Sequence, residues 1–368
     1  MSAAILAAAS ILCASLDRIA LSKALARLKH LVARRSAMPV LEHVLIESAG
    51  DHLTLTATNL SVFVRVTVAA TITAPGALLV PLRKLVEVTR SGARRLELAG
   101  ASIILGGVTH RLATLPAVDY PTVPEPSGEV LASLLRPTLA RLLAQTAYCM
   151  SEDDTRPHLA ALLIERRDDE LRFVATDGHH LALARVPDDG PEFKVLVARA
   201  LVEELLRMID APGGGVVRLR RDGDRVWFEE GAAWVSGKVV DGTFPSYEQV
   251  IPVGDDGAIT TPTTDLREAL HAVTPRGTPG VKLVPEIDAA RMRLLVDDGD
   301  GNVAEAEVIA SFSGKVPAAI GFNAQYIREV IDALTKDNAT VKINMWGELD
   351  PVRVDAHGVT VVIMPLRV

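Results

Sequence analysis

The chain has 368 residues, of which 49% are hydrophobic and only 4% aromatic, and its formal net charge is −7. This length predicts two or three domains, with cores built mainly from Leu, Val, Ile and Ala. The acidic balance argues against a surface that is basic all round, and the lack of an 18-residue apolar run predicts that nothing spans a membrane.

The chain begins with the apolar stretch MSAAILAAASILCAS, and no Lys or Arg precedes its apolar run. A secretory signal peptide normally has such a basic start. We therefore expect an N-terminal extension that leads into a first strand near residues 10–15. The two cysteines, Cys13 and Cys149, are far apart and form no CxxC pair, which favours reduced thiols and a cytoplasmic location.

Six helices are predicted from the spacing of apolar residues. In the first, Leu21, Leu25, Leu28 and Val32 follow i, i+4, i+7 and i+11, the spacing of one helical face. The second begins near Pro81, because proline is favoured in a first turn. The remaining helices are expected near 137–147, 199–209, 264–274 and 323–335. Thr264 and Asn323 are plausible N-caps of the last two.

Apolar and polar residues alternate between the helices, most clearly in HLTLTAT at 52–58 and less cleanly at 215–220. Such alternation is typical of antiparallel strands with one buried face. Turn-forming residues lie between these runs at 49–51, 212–215 and 297–301. The sequence therefore predicts an α+β fold in which helices cover one face of antiparallel sheets.

The alternating segments repeat along the chain. LEHVLIESAGDHLTLTAT at 41–58 aligns without a gap with LAALLIERRDDELRFVAT at 159–176, and a weaker copy runs over 281–308. A period of about 120 residues is too long for a solenoid, so each copy belongs to a domain of its own. Proline-rich linkers put the boundaries near 128 and 253 and predict domains 1–128, 129–253 and 254–368. Three similar domains suggest an arc, and two arcs would close into a ring.

The predicted helices and their flanks carry much of the positive charge, whereas acidic residues concentrate in turns at 152–154, 188–189, 222–224 and 297–300. If the helices face one way, they form a basic surface suited to the phosphate backbone of a nucleic acid. The alternative is that these charged helix faces are simply solvated. The like placement of helices in three repeats favours the basic surface.

The segment TDGHH at 176–180 is the strongest candidate for a catalytic site, because it combines an aspartate with two histidines. Asp177, His179 and His180 could together bind a metal and serve a metal-dependent hydrolase. However, adjacent strand residues point to opposite faces, and no HExxH or GxSxG motif accompanies the segment. A tight turn at Asp177-Gly178 with a surface role is the favoured interpretation. No catalytic residue, metal or cofactor is predicted.

Short motifs in a fixed order point to a family. They are PVL at 39–41, TLPAVDYP at 114–121, TDGH at 176–179, KVVDGTFPSY at 238–247, GFN at 321–323 with Tyr326, and MPLR at 364–367. In these motifs, and across residues 10–368, the chain resembles the bacterial DNA polymerase III beta subunits, the sliding clamps.

The resemblance implies the DNA-clamp fold, with three similar domains that each pack two helices on antiparallel sheets. It implies a head-to-tail homodimer that forms a six-domain ring around duplex DNA without reading its sequence. Such a ring is a processivity factor and not an enzyme, and it tethers a DNA polymerase and other replication or repair proteins. A specialised clamp paralogue, serving repair, a plasmid, a phage or inhibitor resistance, is the alternative within the family.

The resemblance also implies sites. Polymerase and clamp loader would insert QLxLF-like peptides into an apolar pocket between the second and third domains. Carried over by motif, the pocket residues are Leu159, Thr176, Gly178, His179, His180, Leu181, Pro245, Val250, Asn323, Tyr326, Met364, Pro365, Leu366 and Arg367. Together with the helix charges, the resemblance gives as DNA-facing residues Lys23, Arg27, Arg34, Arg35, Arg83, Arg136, Arg141, Arg156, His158, Arg199 and Lys238. The implied dimer seam comprises His110, Leu112, Leu270 and Val273.

This chain departs from the family pattern at several of these positions. His180, Thr243, Glu248 and Gln249 stand where clamps commonly have basic residues in or near the pocket. Pro157 and His158 replace a tyrosine pair that some clamps present to DNA. At the seam, His110 and the pair Pro275-Arg276 occupy positions that are apolar in well-known members.

Overall fold

The computed structural model describes residues 12–32, 35–90, 92–210, 214–254, 256–297, 300, 302–335, 339–356 and 358–367. The chain divides into two compact units. The first comprises the described part of Met1–Arg136 with Ala200–Val239, and the second comprises Pro137–Arg199 with the described part of Val240–Val368. Division into three domains at 128 and 253 remains a prediction.

All six predicted α-helices occur among the described residues. They are α1 Arg18–Leu28, α2 Leu82–Thr89, α3 Arg136–Thr146, α4 Arg199–Asp210, α5 Thr263–Val273 and α6 Ala324–Thr335. Helix α1 ends before Val32, so the predicted face contributes only Leu21, Leu25 and Leu28 to it, and all three are buried. No helix in the described part of the chain is both long and apolar enough to cross a membrane.

The two predicted N-caps have different outcomes. Asn323 caps α6, because its Oδ1 accepts hydrogen bonds from the backbone N–H groups of Gln325 and Tyr326 at 2.9 and 3.3 Å. Thr264 does not cap α5, so that prediction is wrong. Pro262 occupies the cap position and makes no side-chain bond there, while Thr264 already lies inside the first turn.

The helices are interspersed with 25 strands in the described residues, and these strands pair antiparallel. The first thirteen are β1 Cys13–Asp17, β2 His43–Ala49, β3 His52–Thr58, β4 Val62–Ala74, β5 Ala77–Pro81, β6 Arg95–Ala99, β7 Ser102–Leu105, β8 Val108–Arg111, β9 Glu129–Leu135, β10 Ala161–Arg167, β11 Glu170–Thr176, β12 His180–Pro187 and β13 Phe193–Ala198. The others are β14 Val216–Asp222, β15 Arg225–Glu230, β16 Ala233–Lys238, β17 Gly257–Pro262, β18 Gly280–Glu286, β19 Arg291–Asp297, β20 Val303–Ile309, β21 Ser311–Gly314, β22 Ile320–Asn323, β23 Thr340–Met345, β24 Val352–Ala356 and β25 Val359–Ile363.

The strands form three sheets. The first unit holds a 12-stranded sheet with the main order β8-β7-β6-β1-β4-β16-β15-β14-β9, to which β2, β3 and β5 attach through β4. The second unit holds a nine-stranded sheet, β13-β10-β11-β12-β25-β24-β23-β17-β21, and a four-stranded sheet, β20-β19-β18-β22. In the first unit α1 packs on α2 and on β4, and in the second α5 packs on α6 and β20. The predicted α+β class is thus confirmed.

The sequence repeat is visible in the strand register. Leu45 lies opposite Thr56 between β2 and β3, and Leu163 lies opposite Val174 at the equivalent place between β10 and β11. The third copy forms the same kind of hairpin from β18 and β19. Each hairpin continues into a third antiparallel strand, which is β4, β12 or β20. The three copies are therefore three instances of one β-unit.

Candidate functional site

The turn between β11 and β12 shows how the repeat builds the candidate site. Thr176 Oγ1 donates to the carbonyl of His180 at 2.7 Å and accepts from the N–H of Gly178 at 3.1 Å. Asp177 Oδ1 accepts from the backbone N–H groups of His179 and His180 at 2.8 and 2.9 Å. Gly178 has φ +96°, a left-handed conformation that glycine adopts without strain.

The first repeat has the same turn with different residues. Thr58 Oγ1 donates to the carbonyl of Val62 at 2.8 Å, and Asn59 Oδ1 accepts from the N–H groups of Ser61 and Val62 at 3.1 and 2.9 Å. Leu60 takes the left-handed position, with φ +76°. The turn is therefore a property of the fold, and what the second copy adds is one carboxylate and two imidazoles.

His180 is held inside the second turn. Its side chain is only 3% exposed, and Nδ1 lies 2.9 Å from Asp177 Oδ1. Its ring stacks on that of Tyr326, with centroids 4.3 Å apart, while the exposed His179 reaches the same tyrosine at 6.3 Å. Burial and a hydrogen bond to Asp177 raise the pKa of Tyr326 to about 12, so its hydroxyl remains protonated. The two histidines of this turn therefore contact Tyr326, which lies in the first turn of α6.

Asp177 is ionised in this setting. Burial alone would raise its pKa, but the hydrogen bonds from the His180 side chain and from the two backbone N–H groups outweigh burial and lower the pKa well below its usual value. A depressed carboxyl pKa stabilises the folded state above the unfolded pKa of about 3.9, and this stabilisation is lost as the pH falls towards the folded pKa.

The effect of an Asp177 substitution on the free energy of unfolding should therefore depend on pH. Asp177→Ala removes an acceptor of three hydrogen bonds and is expected to lower the free energy of unfolding by about 2 kcal/mol at pH 7. Asp177→Asn should cost less, because Asn59 already forms this turn in the first repeat. Urea unfolding from pH 7 down to pH 3 measures both effects. The stability deficit of Asp177→Asn should shrink below about pH 4, and a deficit independent of pH would contradict an ionised Asp177 carboxylate.

A cavity of about 490 Å³ opens beside this turn. Nine of the fourteen predicted pocket residues line it: Leu159, Thr176, Gly178, His179, His180, Leu181, Pro245, Val250 and Met364. Its floor is the sheet face of β12 and β25, where Leu181 lies opposite Val362. No Lys or Arg is among the lining residues. The cavity can accept apolar side chains, with polar groups confined to its rim.

The other five predicted pocket residues lie near the cavity without lining it. Tyr326 packs on the two histidines and Asn323 caps its helix, as described above. The tail that contains Pro365, Leu366 and Arg367 is anchored by two backbone bonds, from Met364 N–H to the His179 carbonyl at 2.9 Å and from Leu366 N–H to the Gly321 carbonyl at 2.8 Å. Met364 and Leu366 are 43% and 42% exposed, so both offer apolar surface.

One wall of the cavity is the segment 244–252, which a buried polar network fixes. Tyr247 donates its hydroxyl to Glu165 at 2.6 Å. Burial and this bond raise the pKa of Tyr247 to about 12, so the donor is retained at neutral pH. Arg172 binds Glu248 at 3.0 Å and also Glu170 and Asp168, each at 3.0 Å. The wall is therefore anchored to β10 and β11 before any ligand arrives.

Several lining residues were missed by the sequence prediction. They are Ser246, Tyr247, Gln249, Pro252, Pro351 and Val362. Ser246, Tyr247 and Gln249 lie beside the predicted residues Pro245 and Val250 and could have been inferred from that proximity in the sequence. Pro351 comes from the loop before β24, and no local signal connects it with the pocket.

The predicted DNA-facing residues have different surroundings. Exposed side chains are Lys23, Arg35, Arg83, Arg156 and Lys238. Half-buried ones are Arg27, Arg141 and His158, and Arg34 lies outside the described residues. Arg156 and Lys238 each form an ion pair at 2.8 Å, with Asp153 and Asp224. Pairs this exposed contribute little to stability and leave the cations accessible to an anion.

Arg136 does not fit the prediction, and its assignment to a DNA-facing surface is wrong. The residue is 6% exposed and forms an ion pair with Glu230. Its Nε donates to the Ile209 carbonyl at 3.2 Å, at the C-terminal end of α4. Arg199 is also drawn inwards, since its guanidinium donates to the carbonyls of Met150 and Ser151.

Two of the four predicted seam residues are also misplaced. Leu270 and Val273 are 0% and 3% exposed and belong to the core side of α5, so they offer no surface to a second chain. The helical periodicity that predicted α5 also places them inward. His110 and Leu112 are half-buried at the edge strand β8 and just after it, and remain available.

The hydrolase alternative receives no support from the geometry. Asp177 and His180 bind each other, whereas the imidazole of His179 is exposed and takes no part in that bond. Throughout the ranges that the structure describes, no three His, Cys, Asp or Glu side chains are grouped so that they could hold a metal ion.

Comparison with known proteins shows what the chain is similar to. The family model for the DNA polymerase III beta subunit, N-terminal domain, matches residues 13–124, and the model for its central domain matches 133–246. The beta sliding clamp of Caulobacter vibrioides is 32% identical over 379 residues, covering 96% of this chain and 99% of the relative. That of Escherichia coli K12 is 29% identical, with the same coverage.

Solved structures agree with the sequence matches. The sliding clamp of Bartonella birtlesii, crystallised with griselimycin, superposes with a TM-score of 0.87 at 28% identity, covering 97% of this chain and all of that one. The beta sliding clamp of C. crescentus, crystallised with PEG, has a TM-score of 0.86 at 30% identity and covers 98% of this chain and 100% of its own.

Proposed function

The chain belongs to the bacterial DNA polymerase III beta subunits, the sliding clamps, and we propose that two copies close head to tail into a ring around duplex DNA. As a sliding clamp, the protein is a processivity factor for a DNA polymerase. We further propose that it acts without catalysis, in the cytoplasm, and that its polymerase and clamp loader bind through QLxLF-like peptides.

The observation that carries the ring proposal is a strand of the third repeat whose outer edge has no partner among the described strands. In the first repeat the third strand of the β-unit, β4, pairs with β16. In the second repeat the equivalent strand, β12, pairs with β25. In the third repeat β20 ends its sheet among the described strands, and so does β8, the last strand of the first repeat. Pairing of β20 with β8 of a second copy would complete the pattern on both sides of a twofold dimer.

The two strand edges have suitable surfaces. Val108 on β8 is 55% exposed, and Val303 and Ile309 on β20 are 62% and 70% exposed. An exposed edge strand presents unpaired N–H and C=O groups that a second chain can bind. Because β20 also carries Glu305 and Glu307, a negative charge added to the edge of β8 is expected to weaken the pairing of the two strands.

Light scattering on a Val108→Glu variant tests ring closure. The unmodified protein is expected at twice the chain mass of 39.3 kDa. Val108→Glu should lower the dimer affinity at least ~10-fold, since like charges would face each other across the seam. The control is Val118→Glu, which adds the same charge at a position that is 88% exposed and lies outside the edge strand. A dimer of unchanged affinity in both variants would contradict the seam.

The exposed cations support the DNA part of the proposal. Lys23 and Arg83 lie on the outer sides of α1 and α2, and neither forms an ion pair with another described residue. Binding through phosphates alone reads no bases and weakens steeply as salt rises. A ring has no need of tight contacts, because closure itself keeps it on the duplex.

The cavity beside the turn Thr176–His180 supports the partner part. Its walls are formed before binding, its floor is apolar, and its volume of about 490 Å³ suits two or three apolar side chains of a peptide. Apolar anchors seated in a preformed groove are a common mode of peptide recognition.

A further inference from the structure

A second cavity, of about 470 Å³, adjoins the proposed peptide pocket in the second unit. We propose that it receives the flank of the same partner peptide and that Arg185 there binds an acidic side chain of this flank. The inference rests on the proposed function of the pocket and adds to it a longer binding site with a charge preference. The lining residues used below are Leu183, Arg185, Ile251, Pro252, Val253, Arg353 and Asp355.

The two cavities adjoin each other along the same sheet. Leu181 lines the peptide pocket, whereas Leu183 and Arg185, which follow at alternate positions of β12, line the second cavity. Alternate residues of a strand face the same side. Pro252 lines both cavities and so lies at their junction. Leu181 and Arg185 are four residues apart on β12, a distance of about 13 Å. About four residues of an extended peptide would cover this distance.

The second cavity offers apolar surface at its entrance. Val253 is 92% exposed, and Ile251 packs partly buried against the core cluster that contains Leu183. These side chains continue the apolar rim that Val250 begins in the peptide pocket, where it is 55% exposed. A peptide that leaves the first cavity over Pro252 would therefore remain in contact with apolar groups.

Arg185 is the arginine of this cavity whose guanidinium can bind a ligand. Its side chain is 44% exposed, and its nearest carboxylate oxygen, on Glu170, is 3.8 Å away. Glu170 is itself bound more closely by Arg172, at 3.0 Å. A guanidinium with free N–H groups at the end of an apolar groove fits a carboxylate.

The other two charged residues are already occupied. Arg353 donates to Asp355 at 2.8 Å and to the carbonyl of Pro252. Asp355 accepts in addition from Asn344 at 2.8 Å and from Thr360 at 3.3 Å. This pair therefore fixes Pro252 at the junction, and charge recognition is left to Arg185. Because the lining of the peptide pocket includes neither Lys nor Arg, no arginine or lysine of that lining competes with Arg185 for an acidic flank.

Fluorescence anisotropy with three kinds of labelled peptide tests the inference. One is a QLxLF core with neutral flanks, and the others carry three glutamates or three lysines beyond a four-residue spacer, at either end. At moderate salt the unmodified protein should bind one glutamate-extended peptide ~5–10-fold more tightly than the core, as expected for a charge-assisted contact.

Two variants of Arg185 and one control make the result specific. Arg185→Gln should lose the gain, and Arg185→Glu should reverse it in favour of lysine, while both bind the core peptide within about twofold of the unmodified protein. Arg218→Glu makes the same charge change at an exposed residue of β14 outside both cavities. Thermal melts check that the variants are folded.

The outcomes separate the two proposals. No gain from glutamates at either end, or a gain that survives in Arg185→Glu, would overturn the acidic-flank inference while leaving the pocket intact. A gain that Arg218→Glu removes equally would show only a general charge effect and would overturn the inference too. Failure of the unmodified protein to bind even the core peptide would overturn the pocket assignment and, with it, the extension.

Discussion

Deletion of residues 364–368 is expected to weaken the binding of a QLxLF peptide at least ~30-fold and to leave the fold intact. Loss of a central apolar anchor typically costs an interface about 2 kcal/mol or more. Met364 lines the cavity, and the tail is fixed by its bonds to the carbonyls of His179 and Gly321. The sheet should survive, because β25 ends at Ile363. Anisotropy measures the affinity, and circular dichroism and a thermal melt report on the fold.

A milder change provides the control for the deletion. Met364→Leu keeps the apolar volume in the same place and should alter the affinity less than about threefold. Peptide binding that is unaffected by the deletion would show that the tail forms no part of the site. A deleted protein that no longer folds would be replaced by Met364→Ala, for which a loss of ~10-fold or more is expected.

Arg136→Ala is expected to lower the free energy of unfolding of the first unit by about 3–5 kcal/mol, the usual effect of breaking a buried ion pair. The arginine is 6% exposed, and its removal would leave the Glu230 carboxylate, itself only 20% exposed, without its partner. It would also leave the carbonyls of Met208 and Ile209 short of a donor at the end of α4. Urea unfolding followed by tryptophan fluorescence measures the change.

Arg83→Ala is the matched control for Arg136→Ala. Both arginines were predicted to face DNA, but Arg83 is exposed on α2. Its removal should change stability by less than ~0.5 kcal/mol and should instead weaken salt-sensitive association with DNA. Equal and small stability effects from the two substitutions would contradict the structural role of Arg136.

The helices could be predicted well because their core faces are regular. The leucines at 21, 25 and 28 all point inward, and helix α1 ends at Leu28, so Val32 belongs to the following turn. The cap at Asn323 was predictable from the residue itself, whereas Thr264 failed because Pro262 ends β17 and the helix starts one residue later. Local patterns thus give elements and leave their ends uncertain by one or two residues.

The charged residues show where sequence reasoning stops. Nothing near Arg136 in the sequence indicates burial, because its partners lie more than 70 residues further along the chain. The same holds for Leu270, whose apolar character suits a core and a seam equally well. The turn at 176–180 was predictable from its Asp177-Gly178 pair, but its neighbour Pro351 reaches the cavity only through tertiary folding.

The central claim is that the protein holds DNA by encircling it, and topology tests this most directly. The protein is loaded onto a nicked circular plasmid with the clamp loader of the same host and ATP, and the complex is isolated by gel filtration. Half of the sample is then linearised with a restriction enzyme. A closed ring remains on the circular DNA and slides off the linear DNA. Equal retention on both forms would show attachment by contacts alone and would contradict the ring.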